Sequence, residues 1–192
     1  MGYSQAQKAE SRQRVLDAAA RQIRENGIEA VGVADCMRSA GLTHGAFYGH
    51  FASRDALIAA ALEHALTQGK GRVMARANDA AAHSKTPLQA ITDAYLAETH
   101  VDNPGSGCAL CALAGDAGHA TAGLKALYTA HLRQLAAQMT QASANGNEAL
   151  GLGVIATIVG AVTLARAVDD RELARSILAA AHTLVMTQDS AC

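Results

Sequence analysis

The chain has 192 residues, 16 Lys and Arg against 17 Asp and Glu, and a net charge of −1. Half of the residues are hydrophobic and 45 are Ala, whereas aromatics make up only 3% and Trp is absent. That excludes a disordered chain and a sheet-built domain, because Ala favours helix and the residues that strands prefer are scarce.

Hydrophobic periodicity predicts helices nearly throughout. The first covers 8–26, with Val15, Leu16, Ala19 and Ile23 as its inward stripe and Gly27 as its stop. A short helix over 33–40 is broken by Gly41, and another follows over 43–50, with Thr43 placed to cap it. Ser53 and Asp55 then open a long helix through Leu57, Ile58, Ala61, Leu62, Ala65 and Leu66 to about residue 78. Thr86-Pro87 opens a helix to about residue 99, and Asn103-Pro104-Gly105 lies in the clearest loop, 100–107. Short helical signals resume at Cys108, and a long helix spans 120–144. Asn145-Gly146-Asn147 turns the chain into a helix over 148–168, and Asp169 or Asp170 caps a last one to residue 188.

Charge and hydropathy narrow the setting. Residues 1–54 carry +2 and the remainder −3, an asymmetry that permits a DNA-facing end without proving one. Residues 1–14 are polar and charged, without the apolar core of a signal peptide. The 17-residue apolar stretch 149–165 contains three Gly and two Thr, and it is shorter than a typical span; it reads as a buried or subunit-interface helix. Cys36, Cys108, Cys111 and Cys192 are too few and scattered for a secreted disulfide framework. A soluble cytoplasmic protein is expected, with no membrane partner.

Three short helices with Gly41 at the second corner form a helix-turn-helix pattern, since Gly accepts the positive φ a tight corner requires. The second helix of the pair, Thr43-His44-Gly45-Ala46-Phe47-Tyr48-Gly49-His50-Phe51, would enter the major groove. Phe47 and Phe51 are four residues apart and share a face suited to anchoring it. Thr43, His44, Tyr48 and His50 fall largely elsewhere and carry hydrogen-bonding groups, while Gly45 and Ala46 keep the surface flat. Taken singly, Tyr48 and Phe51 read equally as core aromatics and the histidines as ordinary surface residues.

The segment from Ala40 to Leu57, above all Tyr48-Gly49-His50-Phe51 followed by Ser53-Arg54-Asp55, resembles the DNA-binding signature of the TetR family of bacterial regulators. The resemblance starts near Arg12 and ends near Ala61. It implies an all-α fold, with a helix-turn-helix domain over 1–55 and an effector-binding and dimerisation domain over 56–192. It further implies that Thr43, His44, Gly45, Tyr48 and His50 face double-stranded operator DNA, and that Arg54, where Lys is commoner, reaches the phosphate backbone. Homodimerisation through the last two helices and a small-molecule effector pocket are implied as well. Two departures stand out: Val31-Gly32 replaces the usual Thr or Ser capping helix two, and Cys36 occupies a position usually held by Ile or Leu.

Gly107-Cys108-Ala109-Leu110-Cys111-Ala112-Leu113 resembles a Gly-Cys-x-Leu-x-x-Leu segment of one branch of that family, in which some members sense electrophiles or oxidants through the matching cysteine, here Cys108. Three readings stay open. Both cysteines can be small apolar core residues; Cys108 can attack with Cys111 resolving; or both can bind metal with His100 or His119. Met74, Tyr95, Leu110, Leu124, Tyr128, His131 and Leu135 are the candidate pocket residues, each equally readable as plain core. Gly151, Gly153, Gly160 and Ala179-Ala180-Ala181, beside Ile155, Ile158, Val159, Leu178, Leu184 and Val185, point to close helix packing and a four-helix dimer interface. No nucleophile triad, phosphate-cradling Gly loop or paired carboxylates suggest an enzyme, and neither a cofactor nor a metal is expected. The reading is a repressor released from a palindromic operator by a small molecule or by cysteine modification. The alternative is a helical protein-binding or redox-sensing module without DNA binding.

Overall fold

Ala, Leu and Val at helical spacing build ten α-helices and no strand among the residues that the computed structural model describes, 5–80, 86–144 and 146–190. Cys192 and Asn145 of the expected turn lie outside them. In chain order the helices are α1 (Gln5–Asn26), α2 (Val33–Ser39), a 3-10 helix (His44–Gly49), α3 (Arg54–Ala80), α4 (Pro87–Leu96) and α5 (Glu98–Asp102). A 3-10 turn (Pro104–Ser106) leads to α6 (Ala109–Ala112), α7 (Ala114–His119), α8 (Ala122–Ala142), α9 (Glu148–Ala167) and α10 (Arg171–Ser190).

Side-chain caps set several of these boundaries. The Ala56 N–H donates to Ser53 Oγ (3.1 Å), the Gln89 N–H to Thr86 Oγ1 (3.1 Å), and the N–H groups of Glu172 and Leu173 to Asp170 (2.8 and 3.0 Å). Thr43 makes no such bond, so the expected cap of the short helix is absent. The helix expected over 86–99 also ends early, at Leu96, with Ala97 extended. His100 explains the break. Its Nδ1 donates to the Tyr95 carbonyl at 2.6 Å, taking the acceptor that a continuing helix would offer Thr99. The chain restarts as α5, so the loop expected over 100–107 is largely helical and 3-10 turn.

Packing joins two groups of helices. α1 lies along α3, with Val15, Ala19 and Ile23 on one and Leu57, Ala61 and Leu62 on the other fully buried. Each of the Val, Leu and Ile side chains among them contributes roughly 1.5–3 kcal/mol on burial. α9 packs between α8 and α10, burying Val154, Ile158 and Val162. A Cβ on Gly151 would meet Thr140 and come within 2.8 Å of the Ala136 carbonyl, so this glycine lets α9 approach α8 inside one subunit. α9 is long and apolar enough to cross a membrane, with a mean hydropathy of 1.9, and 39% of that stretch is buried in this packing. The α1 end is further tied to the C-terminal helices: the Ile28 N–H donates to the Asp116 carboxylate of α7 at 3.0 Å.

Candidate nucleic-acid interface

The corner before the reader helix follows from Gly41. Its φ of +73° lies in the left-handed region, and nothing sits within 4 Å of where a Cβ would be. The Leu42 N–H returns to the Met37 carbonyl (2.9 Å) and the Gly41 N–H to that of Arg38 (3.0 Å), closing α2 with a Schellman turn. The six residues that follow, two of them Gly, form 3-10 rather than α-helix. Gly45 and Gly49 are poor helix formers, and the missing Thr43 cap leaves the first turn short of a partner.

Two aromatics hold this weak helix in place. Phe47 and Phe51 are 3% and 4% exposed, with ring centroids 5.9 Å apart, and the Arg12 guanidinium lies 4.7 Å over the Phe51 ring. Tyr48, between them, is 76% exposed and meets Phe47 edge-on. Thr43, His44 and Gly45 are exposed on the same short helix. Fixed aromatics and one large outward phenol give a rigid projecting edge of about the size a major groove admits.

The remaining candidates are placed differently. His50 is half-buried, its Nδ1 shielded from water without a partner among the described residues, and its pKa is lowered by burial and by Lys8 and Arg12. Arg54 donates from Nη2 to the Glu29 carbonyl (3.0 Å) and from Nε to that of Val31 (3.4 Å), tying α3 to the loop before α2. Sequence reasoning missed Lys8 and Arg12, whose charges reach the reader helix from α1. Their spacing of four on one helix face was the available signal. At the Val31-Gly32 departure, the Gly32 N–H is taken by Gln22 Oε1 (3.2 Å), and the buried Cys36 thiol points to the same oxygen (3.5 Å). Burial, with Asp35 nearby, pushes that thiol up to about 11.

A match to the family model of bacterial regulatory proteins, tetR family, covers residues 15–61, the segment that carries this helix-turn-helix. Residues 15–61 are a TetR-type helix-turn-helix region. A Bacillus subtilis relative, the HTH-type transcriptional regulator YvdT, is 38% identical over 65 residues, 32% of this chain and 34% of that protein. The matched region thus spans about a third of the relative's length. Solved TetR-family structures show the same fold along the rest of the chain. One from Cytophaga hutchinsonii has a TM-score of 0.77 at 17% identity, covering 97% of this chain and 98% of that one. One from Chloroflexus aurantiacus has a TM-score of 0.75 at 24% identity, covering 95% of each. The reduced form of Escherichia coli NemR has a TM-score of 0.73 at 17% identity, covering 93% of this chain and 97% of that one.

The cysteine segment lies in the core. Cys108 and Cys111 are 1% and 3% exposed. Tyr95 donates its hydroxyl to Cys108 Sγ at 3.7 Å, and the Cys108 N–H donates to His100 Nε2 at 3.0 Å. Hydrogen bonding from Cys111, and then from Tyr95, draws the Cys108 thiol down against the opposing effect of burial. Cys111 is pushed up by the same pairing. Both nitrogens of His100 are committed, one to Tyr95 and one to Cys108, which removes it from the metal-ligand alternative; His119 is exposed at the end of α7.

Of the candidate pocket residues, Tyr95, Leu110 and Leu135 are buried, and Met74, Leu124, Tyr128 and His131 are half-buried. The Tyr128 hydroxyl donates to the Leu110 carbonyl at 3.0 Å. The His131 pKa is lowered by burial and by Lys70. A cavity of about 570 Å³ opens elsewhere, between α1, α5, α9 and α10, and Cys111 is the one member of the candidate set that borders it.

Proposed function

We propose that this protein is a dimeric transcriptional repressor that binds a palindromic operator in the cytoplasm through the helix His44–Gly49 of each subunit. The observation that carries this reading is Tyr48, 76% exposed on a helix held down by two buried phenylalanines. Phe47 and Phe51 fix the short helix from below, so the Tyr48 phenol is held outward, where a groove-facing side chain would stand. Thr43, His44 and Gly45 beside it supply hydrogen-bonding groups and close backbone approach, with Lys8, Arg12 and His50 flanking. Tyr48→Ala is expected to weaken binding to the protein's own upstream DNA by roughly 10- to 100-fold, with helical content and oligomeric state unchanged. An unchanged affinity in a gel-shift titration overturns the reading and favours a helical binder without DNA.

Release by a small-molecule effector is the expected mode of regulation, with cysteine modification as a specific variant. The variant is favoured by the Cys108 thiol, which accepts from Tyr95 beside Cys111. At 1% exposure, Cys108 becomes reactive only when the segment around it opens. Thiol modification and operator release, titrated together, are expected to coincide in the wild type and to separate in Cys108→Ser. A full response by that variant excludes Cys108 as the trigger.

A further inference from the structure

Two arginines from opposite ends of the sequence close on one strip of backbone. Arg24, in the last turn of α1, is 4% exposed and donates from Nε to the Gly105 carbonyl at 2.7 Å. Arg166, in the last turn of α9, donates from Nη2 to the His100 carbonyl (2.7 Å) and from Nε to that of Val101 (3.2 Å). Neither forms an ion pair among the described residues. Nη1 of Arg166 is shielded from water and has no acceptor among the described residues. A guanidinium withdrawn from water without a counter-charge is costly, and a ligand anion relieves that cost.

Both arginines border the cavity of about 570 Å³, whose wall is mixed: Val101, Pro104, Val168 and Leu178 give it an apolar patch, and Arg171, Arg175 and several carboxylates line the rest. Most acids at its border are already used. Glu25 pairs with Arg21 (2.8 Å), Glu98 with Arg175 (3.1 Å), and Asp170 caps α10. Asp102 and Asp169 remain, both exposed, and they disfavour a multiply charged anion.

We propose that this cavity binds a small monocarboxylate with a short aliphatic tail. The carboxylate lies against the cavity-lining faces of the Arg166 and Arg24 guanidiniums, and the tail lies on the apolar patch. Arg24 belongs to α1 and Arg166 to α9, and both grip the segment 100–105, so the ligand would sit where the two groups of helices meet.

The test uses hexanoate as the probe and hexan-1-ol as its uncharged match, titrated calorimetrically into the full-length protein. Saturable hexanoate binding with a dissociation constant on the order of 1 mM or tighter is expected, with no binding of the alcohol. Arg166→Gln is expected to lose about tenfold or more in affinity. Ala174→Phe, which fills the cavity from α10 without removing either arginine, is expected to abolish binding and covers the case in which Arg166→Gln does not fold. Absence of hexanoate binding, equal binding of the alcohol, or unchanged affinity in either folded variant overturns the proposal. Operator affinity measured without hexanoate tests the DNA reading separately, so either can fail alone.

Discussion

His100 shows how much one side chain decides here. It is 1% exposed and neutral, with Nδ1 donating and Nε2 accepting, which fixes the tautomer. It ends one helix, starts the segment that contains Cys108, and stacks edge-on against Tyr95 at 5.5 Å. Burial, with Arg166 and Arg76 adding to it, lowers its pKa to about 4. The unfolded chain takes up a proton near pH 6.5, while the folded chain resists until about pH 4. Stability from this group is therefore complete above pH 6.5 and is lost as pH falls toward 4, by up to roughly 3 kcal/mol. Urea midpoints at pH 7.5 and 5.0 are expected to differ in the wild type and to converge in His100→Asn, after allowing for the acid response of the rest of the chain. An undiminished difference in the variant assigns the acid sensitivity elsewhere.

At the scale of elements, the corner at Gly41 is where local chemistry constrains the reader helix most tightly. Any residue with a Cβ at a φ of +73° is strained, although the surrounding space is open. Gly41→Ala is expected to cost about 1–2 kcal/mol in thermal or urea unfolding, a backbone penalty without a packing one. Gly69 differs, because a Cβ there would approach the Gly107 carbonyl to 2.7 Å and force α3 away from the cysteine segment. Boundaries marked by residues within three positions were legible in the sequence, as Ser53, Thr86 and Asp170 show. The break at Ala97 was not, because the groups that make it, the His100 ring and the Cys108 N–H, meet only in the folded chain. The 3-10 character of the reader helix was half visible in Gly45 and Gly49. The bonds from Arg54 to the Glu29 and Val31 carbonyls, 25 and 23 residues away, had no local signal either.

At the scale of the molecule, the stripe expected to join two subunits divides in two. Ile155, Ile158, Leu178 and Val185 are buried within one chain, and Gly151 serves α8. Leu184 of that stripe stays outward with Gly160 open beside it, and Leu152, Leu164 and Leu173, which the stripe did not include, are exposed as well, all four leucines at 46–56%. Leucines gathered on two adjacent helices ask for a cover. Leu164→Glu is expected to shift the protein to monomer in sedimentation velocity, and to reduce operator affinity with it while helical content stays. A variant that sediments as a dimer moves the interface off this face. The cavity at the α1–α9 junction was invisible in the sequence for the opposite reason: Arg24 and Arg166 look like ordinary surface charges until the fold brings them together.

The length of α3 sets a mechanical scale. Its 27 residues span about 40 Å at 1.5 Å per residue, and its first turn is fastened by Arg54 to the loop that carries the reader unit. The two Arg54 bonds couple that loop to the first turn of α3, and the Ile28 N–H ties it also to Asp116 of α7. A tilt of roughly 5° about the far end of a 40 Å arm displaces the near end by roughly 3.5 Å. Applied in both halves of a two-fold pair, it changes the separation of the reader helices by about 7 Å, a fifth of the roughly 34 Å between successive major grooves on one face of DNA. Gearing of that kind allows a sub-ångström rearrangement beside α3 to decide whether two subunits fit one operator.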